Sequence, residues 1–141
     1  MANIIPFSFR GELFSGTHNF ANGGNSFKIA LYTGNPYGTG STAYLTAQEV
    51  SANNTGYTTA GKVLAGQAVV STGAVATVDF TDSTLTNATF TAAFAAIYND
   101  TNADKLCVVL DFGGNKTATN GTFSISFPNP STPANAIISM A

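Results

Sequence analysis

The sequence predicts an all-β protein: an antiparallel β-sandwich or jelly roll of about eight strands, with one short N-terminal helix. Three observations lead there. Segments such as FKIALYT, residues 27–33, alternate apolar and polar side chains with the period of two of a half-buried strand. Clusters of Gly, Pro, Asn and Asp cut the chain into such segments at spacings of roughly 8–16 residues. Only one stretch carries a helical pattern. At 141 residues the chain reads as a single domain, 1–141. A domain of that size buries roughly 68–70% of its unfolded surface and needs no disulfide or metal to hold it.

Taken in order, the helix comes first. Pro6 suits a first helical position, Phe9 and Leu13 stand four apart with Phe14 on the same side, and Ser15-Gly16 supplies a stop. Gly11 opposes it by about 1 kcal/mol relative to Ala. Residues 1–16 thus form an N-terminal helix or arm. The link THNFANGGN leads to FKIALYT, where Phe27, Ile29, Leu31 and Thr33 share one face and Lys28, Ala30 and Tyr32 the other. GNPYGTGST is a loop, AYLTAQEV a weak strand and SANNTGYT a turn. KVLAGQAVVS reads as one longer strand bulged at Gly66, and Thr72-Gly73 turns it into AVATVDF. FTAAFAAIYN and KLCVVLDF follow, the latter apolar on both faces: Leu106, Val108 and Leu110 on one, Cys107 and Val109 on the other. TFSISF points Phe123, Ile125 and Phe127 inward, three prolines punctuate, and AIISM closes the chain. One internal echo is visible: VDFTDSTLTNATFTAAF resembles LDFGGNKTATNGTFSISF, as a duplicated β–loop–β unit or as similar turns that recruit similar residues.

The surface is unusual. Charged residues make up 9% of the chain, whereas Thr, Ser, Asn and Gly fill 59 of its 141 positions. An ordinary soluble domain is about 25% charged. Solubility here rests on hydroxyls and amides, and a net charge of −2 offers little self-repulsion. Such a surface suits a subunit of an assembly. Arg10, Lys28, Lys62, Lys105 and Lys116 are scattered, which excludes a phosphate-tracking stripe and with it nucleic acid. No run approaches the roughly 20 apolar residues of a membrane span. MANIIPFSFRGELF lacks the pattern of a signal peptide, so a cytosolic origin is expected.

Candidate chemistry is sparse. His18, the one histidine, has no nucleophile pattern nearby and reads as structural or solvent-exposed. Cys107, the one cysteine, reads as a small buried hydrophobe. Asp79 and Asp111 precede Phe80 and Phe112 in matching contexts, with Asp82 close by. Paired carboxylates could serve glycoside hydrolysis or calcium, but capping of turns is the reading adopted. Glu12 and Glu49 stand alone. The glycines at 23–24 and 113–114 lack the spacing of a phosphate cradle. Five Asn-x-Ser/Thr sequons match chance in so Asn- and Thr-rich a chain. These residues imply no enzyme, cofactor or metal.

FKIALYT, TAQEVSANNTGYTTAGKVL, VDF, TNATF, AAIYN and VVLDFGG occur in an order that resembles small structural proteins of tailed, podovirus-like phages, above all capsid cement (decoration) proteins. The resemblance covers nearly the whole chain. It departs at Ala60-Gly61-Lys62, where those proteins commonly carry a Gly-Gly pair. It implies a sandwich or jelly-roll clip, made in the bacterial cytoplasm, bound outside the capsid of the virion and cementing major capsid subunits. The partners would be the major capsid protein and further copies of the chain. A tail, neck or fibre component, binding glycan or receptor, is the alternative. On this reading the contact residues are Tyr32, Tyr37, Tyr44 and Tyr57, with Pro36 at the loop tip. Phe7, Phe9 and Phe14 of the arm join them, being more than one short helix needs.

Overall fold

The structure, a computed structural model, describes residues 3–140. The first two residues of the expected arm, and Ala141, lie outside them. Helix α1 (Phe7–Phe14) is followed by β1 (Phe27–Tyr32), β2 (Lys62–Val63), β3 (Ala68–Thr72), β4 (Val75–Asp79), β5 (Ser83–Asn99), β6 (Lys105–Ile125) and β7 (Ile138–Met140), with a 3-10 turn at Pro133–Asn135. The strands form two antiparallel sheets, ordered β2-β1-β5-β6 and β3-β4-β7. The all-β class with one short helix is what the sequence predicts. The described residues hold seven strands where about eight are expected, because two predicted strands are joined, one is split in two and one is absent.

AYLTAQEV is a loop, touching the sheet only through isolated bridges such as Ala43↔Lys105 and Tyr32↔Glu49. KVLAGQAVVS is broken, not bulged: β2 ends in one sheet and β3 begins in the other. The crossing passes Gly66, where φ is 64° and a side chain would collide with Thr81 Oγ1. KLCVVLDF and TFSISF, expected as separate strands, run together in β6. Their intervening GGNKTATNG stays in the ladder because Gly113 (φ 76°), Gly114 (φ 145°) and Asn120 (φ 46°) absorb the extra residues as bulges.

The internal echo has a structural counterpart. Asn87 and Asn120, each in the left-handed region, are bulged residues on opposite strands of the β5–β6 ribbon, flanking the Ala88↔Gly121 pair. One extra residue on β5 is thus offset by one on β6. The Asn120 N–H donates to Thr89 Oγ1 at 3.0 Å across the junction. The echoed segments do not lie at matching ends of two sheets: the first begins on β4, and from Ser83 on it faces the second in one ribbon. A further bulge corrects the predicted alternation in β6. Ile97 pairs Val108 while Tyr98 pairs Leu106, so Cys107 is the extra residue. Cys107 and Val108 therefore both enter the main core, and Leu106 and Val109 share the opposite face.

The main core lies between the two sheets and under α1, with Phe20 stacked on Phe27 at 4.3 Å and Phe80 edge-on to both. The other face of the large sheet is covered too. Ala30, Tyr32, Ala96, Tyr98, Leu106 and Val109 pack beneath the loop that joins β1 to β2. FKIALY is therefore buried on both faces along β1, with Lys28 its one partly exposed member, and not half-buried as the alternation suggests. Small Ala30 and hydrogen-bonded Tyr32 allow a layer to sit on what reads as the outer face.

α1 holds Phe9 inward but not Phe14, which is 90% exposed. Five residues at 100° each place Phe14 about 140° round the helix from Phe9, so the two cannot share a face. Pro6 caps the helix instead of opening it. At the other end Thr17 N–H reaches the Glu12 carbonyl and Gly16, at φ 73°, turns the chain out.

Removing the Phe27 ring should leave a cavity at the centre of the aromatic cluster. Phe27→Ala is expected to cost about 3–5 kcal/mol in urea unfolding. Lys28→Ala, which removes only a partly exposed pair with Asp100, should cost under about 1 kcal/mol.

Candidate functional site

Four of the five tyrosines fall between residues 32 and 57, and the fold brings the fifth, Tyr98 of β5, under the same loop. Glu49 stands at their centre. Its Oε2 accepts the Tyr44 hydroxyl at 2.6 Å, and its Oε1 accepts the Tyr57 hydroxyl at 2.7 Å and the Ala60 N–H at 2.8 Å. Tyr57 Oη in turn accepts the Leu31 N–H of β1 at 3.0 Å, so loop and sheet are joined through one carboxylate. Tyr98 donates to the Ala60 carbonyl and stacks on Tyr44 at 4.9 Å.

Beside this centre lies a closed ring of hydrogen bonds. Tyr32 donates to the Leu45 carbonyl at 2.7 Å, and the Leu45 N–H donates to Tyr37 Oη at 2.9 Å. Because Tyr32 has spent its one proton on Leu45, the 2.6 Å contact between the two hydroxyls is donated by Tyr37. Every donor and acceptor in the ring is used once, in one direction. Burial pushes all five phenols above the ordinary tyrosine value; for Tyr44 and Tyr57 the bond each donates to Glu49 adds to it.

The backbone following the carboxylate explains the departure at Ala60-Gly61. Ala60 sits at φ 74°, a region that suits glycine, and is held there at both N–H and C=O. Gly61 at φ 85° passes so close to β1 that a Cβ would lie 2.1 Å from the Ile29 carbonyl oxygen. Glycine is required at 61 and merely convenient at 60.

This arrangement corrects the contact assignments. Tyr32, Tyr37 and Tyr57 are buried in the protein's own interior and have no surface to offer, because their hydroxyls close the loop on the sheet. Tyr44 is half-buried, with its ring face on Tyr98. Pro36 is half-buried at a tip whose Tyr37 turns inward. In the N-terminal segment Phe9 is buried against His18, whereas Phe7 and Phe14 are 61% and 90% exposed. The segment is not a free arm: Ile4 exchanges both backbone hydrogen bonds with Val109 of β6, and the Phe7 N–H donates to the Thr39 carbonyl.

His18 and Cys107, far apart in sequence, meet. His18 is buried, with Nε2 2.6 Å from Glu12 Oε2, and Nδ1 3.0 Å from Asn99 Nδ2 and 3.7 Å from Cys107 Sγ. Asn99 Oδ1 accepts the N–H groups of Thr101 and Asn102, which orients its amide so that Nδ2 faces the ring. Nδ1 is therefore the acceptor, and Nε2–H donates to Glu12, whose Oε1 also receives Lys105 at 3.3 Å. A cysteine, a histidine and a carboxylate in line suggest a nucleophile, but Cys107 is fully buried and burial pushes its thiol well up. A reactive cysteine needs the opposite setting. What the cluster does is fasten α1 and the following link to the ends of β5 and β6.

The aspartates lie apart, Asp79 on β4 and Asp111 on β6, in different sheets. Asp111 Oδ1 accepts the Gly113 N–H, which lowers its pKa, and Asp82 Oδ1 accepts the Phe127 N–H. Among the described residues no group of three His, Cys, Asp or Glu side chains converges to hold a metal. The surface carries shallow concavities, of which three follow. One of about 280 Å3 is apolar, walled by Leu13, Phe20, Val69, Val78, Ile138 and Met140. A second of about 380 Å3 follows β6 past Lys116 and Phe123, and a third of about 520 Å3 lies at Lys62, Val63 and Leu85. Comparison with models of known protein families, with curated proteins and with solved structures finds no match to the chain.

Glu49 was missed because its partners lie five, eight and eleven residues away, beyond any local pattern. One signal was available: it is the only acidic residue between Glu12 and Asp79, and it stands among four tyrosines.

Two predictions test this centre. The folded phenol values lie above the unfolded value of about 10, so the contribution to stability is complete below that pH and is lost as pH rises past it towards the folded values. Titration at 295 nm should show no tyrosinate in the native protein near pH 10, then one cooperative rise coinciding with loss of far-UV circular dichroism. A reversible phenol titration in still-folded protein contradicts the network. Glu49→Ala should cost about 3 kcal/mol or more, from donors left without partners. Gly61→Ala should cost about 2–4 kcal/mol while Ala60→Gly stays within about 1 kcal/mol of the parent in the same urea assay.

Proposed function

We propose that the protein is a non-enzymatic structural subunit of a virus particle: a β-sandwich clip on the outer capsid surface that cements neighbouring major capsid subunits. The resemblance to phage decoration proteins supplies the class. The observation that carries it is the distribution of exposed apolar side chains over a nearly uncharged protein. Phe7 and Phe14 on α1, Val63 on β2, Val69 on β3 and Met140 on β7 are all open to solvent, on elements from both sheets and the helix. Single exposed apolar side chains are ordinary in themselves; on a chain with only 9% charged residues they give a clip apolar contacts on several sides.

Multivalency makes weak contacts sufficient. Once one face is bound, a second contact forms at an effective concentration near the mM range, so no single interface need be strong. Hydroxyl- and amide-rich surroundings tolerate small offsets between quasi-equivalent neighbours. The internally satisfied tyrosine loop fits a scaffold. Burial of three of its four tyrosines removes the stacking platforms that a glycan-binding tail or fibre component would use.

Copy number tests the reading. Quantitative mass spectrometry of purified particles should find the protein at the same order as the most abundant shell protein. A ratio of a few per cent would move it to the tail or neck, and absence from particles would sink both structural assignments.

A further inference from the structure

We propose that β3 is a dimer seam: its free edge pairs antiparallel with β3 of a second copy about a two-fold axis, joining the two small sheets into one. The pairing stands on the strand itself and not on the capsid reading.

The hairpin fixes which backbone groups are free. Thr72 pairs with Val75 across a two-residue loop whose first position, Gly73, has φ 62°, as a tight hairpin turn requires. The pair that closes such a loop exchanges both backbone hydrogen bonds. Alternation along the ladder then makes Val70–Thr77 and Ala68–Asp79 bonded pairs as well. Thr77 Oγ1 donates to the Val70 carbonyl at 3.1 Å, which agrees with that carbonyl lying on the β4 side. The N–H and C=O groups of Val69 and Ser71 therefore point away from β4, off the edge of the sheet. Among the described residues no other segment hydrogen-bonds to them. Val69 is 53% exposed and Ser71 to Ala74 are all exposed, so the edge is open to a partner.

This edge lacks the usual guards. Proteins protect sheet edges with charges, prolines, bulges or a covering segment. β6 carries Lys116 and bulges along its outer run and is covered by Ile4 at Val109. β2 is two residues long and contains Lys62, and β7 has three residues. β3 has five residues in unbroken register with β4, and neither a charged residue nor a proline occurs from Val63 to Val78.

The same free groups select a second copy. With Val69 opposite Ser71 of the second copy, both groups of Val69 and both of Ser71 are bonded on each strand. Sliding the strands by about two residues leaves half of them unpaired. In the full register Val70 meets its own counterpart, a β-branched pair at the closer, non-hydrogen-bonded position. No charge on either strand opposes the approach, and each copy carries a net charge of only −2. A strand of another protein would also pair backbone to backbone, but this segment has no charge with which to select one. Self-pairing uses up the free edge of both copies, so it closes as a dimer and does not grow into a filament. A five-residue seam is smaller than a standard interface, so the dimer forms at high concentration.

Sedimentation equilibrium of the full-length protein tests the seam up to about 1 mM, where the mass should approach that of a dimer. Over the same range hydrogen exchange should slow at the Val69 and Ser71 amides and stay unchanged at Val70, whose N–H already bonds β4. Ser71→Pro removes a donor that only the dimer uses, and Ser71→Lys supplies the missing guard. Both should keep the parent's circular dichroism and weaken dimerisation at least about tenfold. If the proline disturbs the fold, Ser71→Lys decides. Val70→Cys should cross-link two copies under mild oxidation, since that pair meets at disulfide distance, whereas Thr72→Cys should not. A parent that stays monomeric overturns the proposal, as does a dimer that the folded Ser71 variants form as well as the parent. Slowed exchange along β6 in place of Val69 and Ser71 puts the seam on another edge and overturns it too. Cross-linking at Thr72 and not at Val70 overturns the two-fold register.

Discussion

The rest of the structure depends on one carboxylate. Between β1 and β2 the chain runs from Thr33 to Gly61 without a strand or helix, far beyond the length at which a loop normally holds one conformation. Each ordered residue costs roughly 1–2 kcal/mol of backbone entropy, so such a segment settles only if fixed at several points. Glu49 takes three donors from positions 44, 57 and 60 and, through Tyr57, reaches β1 itself. The loop becomes a lid on the large sheet. β1 and the inner halves of β5 and β6 can then be apolar on both faces, as two-sided burial demands.

That lid also positions the helix. Thr39, inside the loop, accepts the first N–H of α1, while Ile4 pairs with β6 ahead of it. At its far end the helix is held by Glu12, His18 and Asn99, and Asn99 uses its amide fully, its two N–H groups shared among the Thr17 carbonyl, His18 Nδ1 and Asn25 Oδ1 while its Oδ1 accepts two turn amides. A buried amide so satisfied stabilises one arrangement and penalises alternatives, since each lost partner leaves an unmatched polar group. The helix is too short to be stable alone and gains its geometry from these two ends. Its outward face is thereby presented in a fixed direction.

Much of the fold was legible because periodicity and turn chemistry are local. FKIALY, VATVD, FTAAFAAIYN and KLCVVL all lie in strands, and Pro6, Ser15 and Gly16 bracket α1. What was hidden is non-local. The alternation of β1 cannot report that a loop will cover its second face, and a bulge at Cys107 turns the phase of β6 through a register that only pairing with β5 defines. Asn87 and Asn120 read as turn residues because the left-handed conformation that suits a turn also suits a bulge. The tyrosines misled for a related reason. Their bulk and hydroxyl fit an interface and a buried hydrogen-bond network equally well, and only the position of Glu49 decides between them.

Local rules broken without an internal reason are the more telling departures. Ala60 in a left-handed conformation is accounted for by the bonds at its two ends, and Gly61 by the approach of Ile29. Buried Asn99 and His18 are accounted for by each other. On α1, Gly11 meets nothing and Phe14 is almost wholly exposed, while the exposed ring of Phe7 is met by the Arg10 guanidinium of its own helix. The body behind that helix is closed on both sides of the large sheet, by hydrogen-bonded tyrosines under the loop and by packed phenylalanines between the sheets, so the two layers hold each other in place.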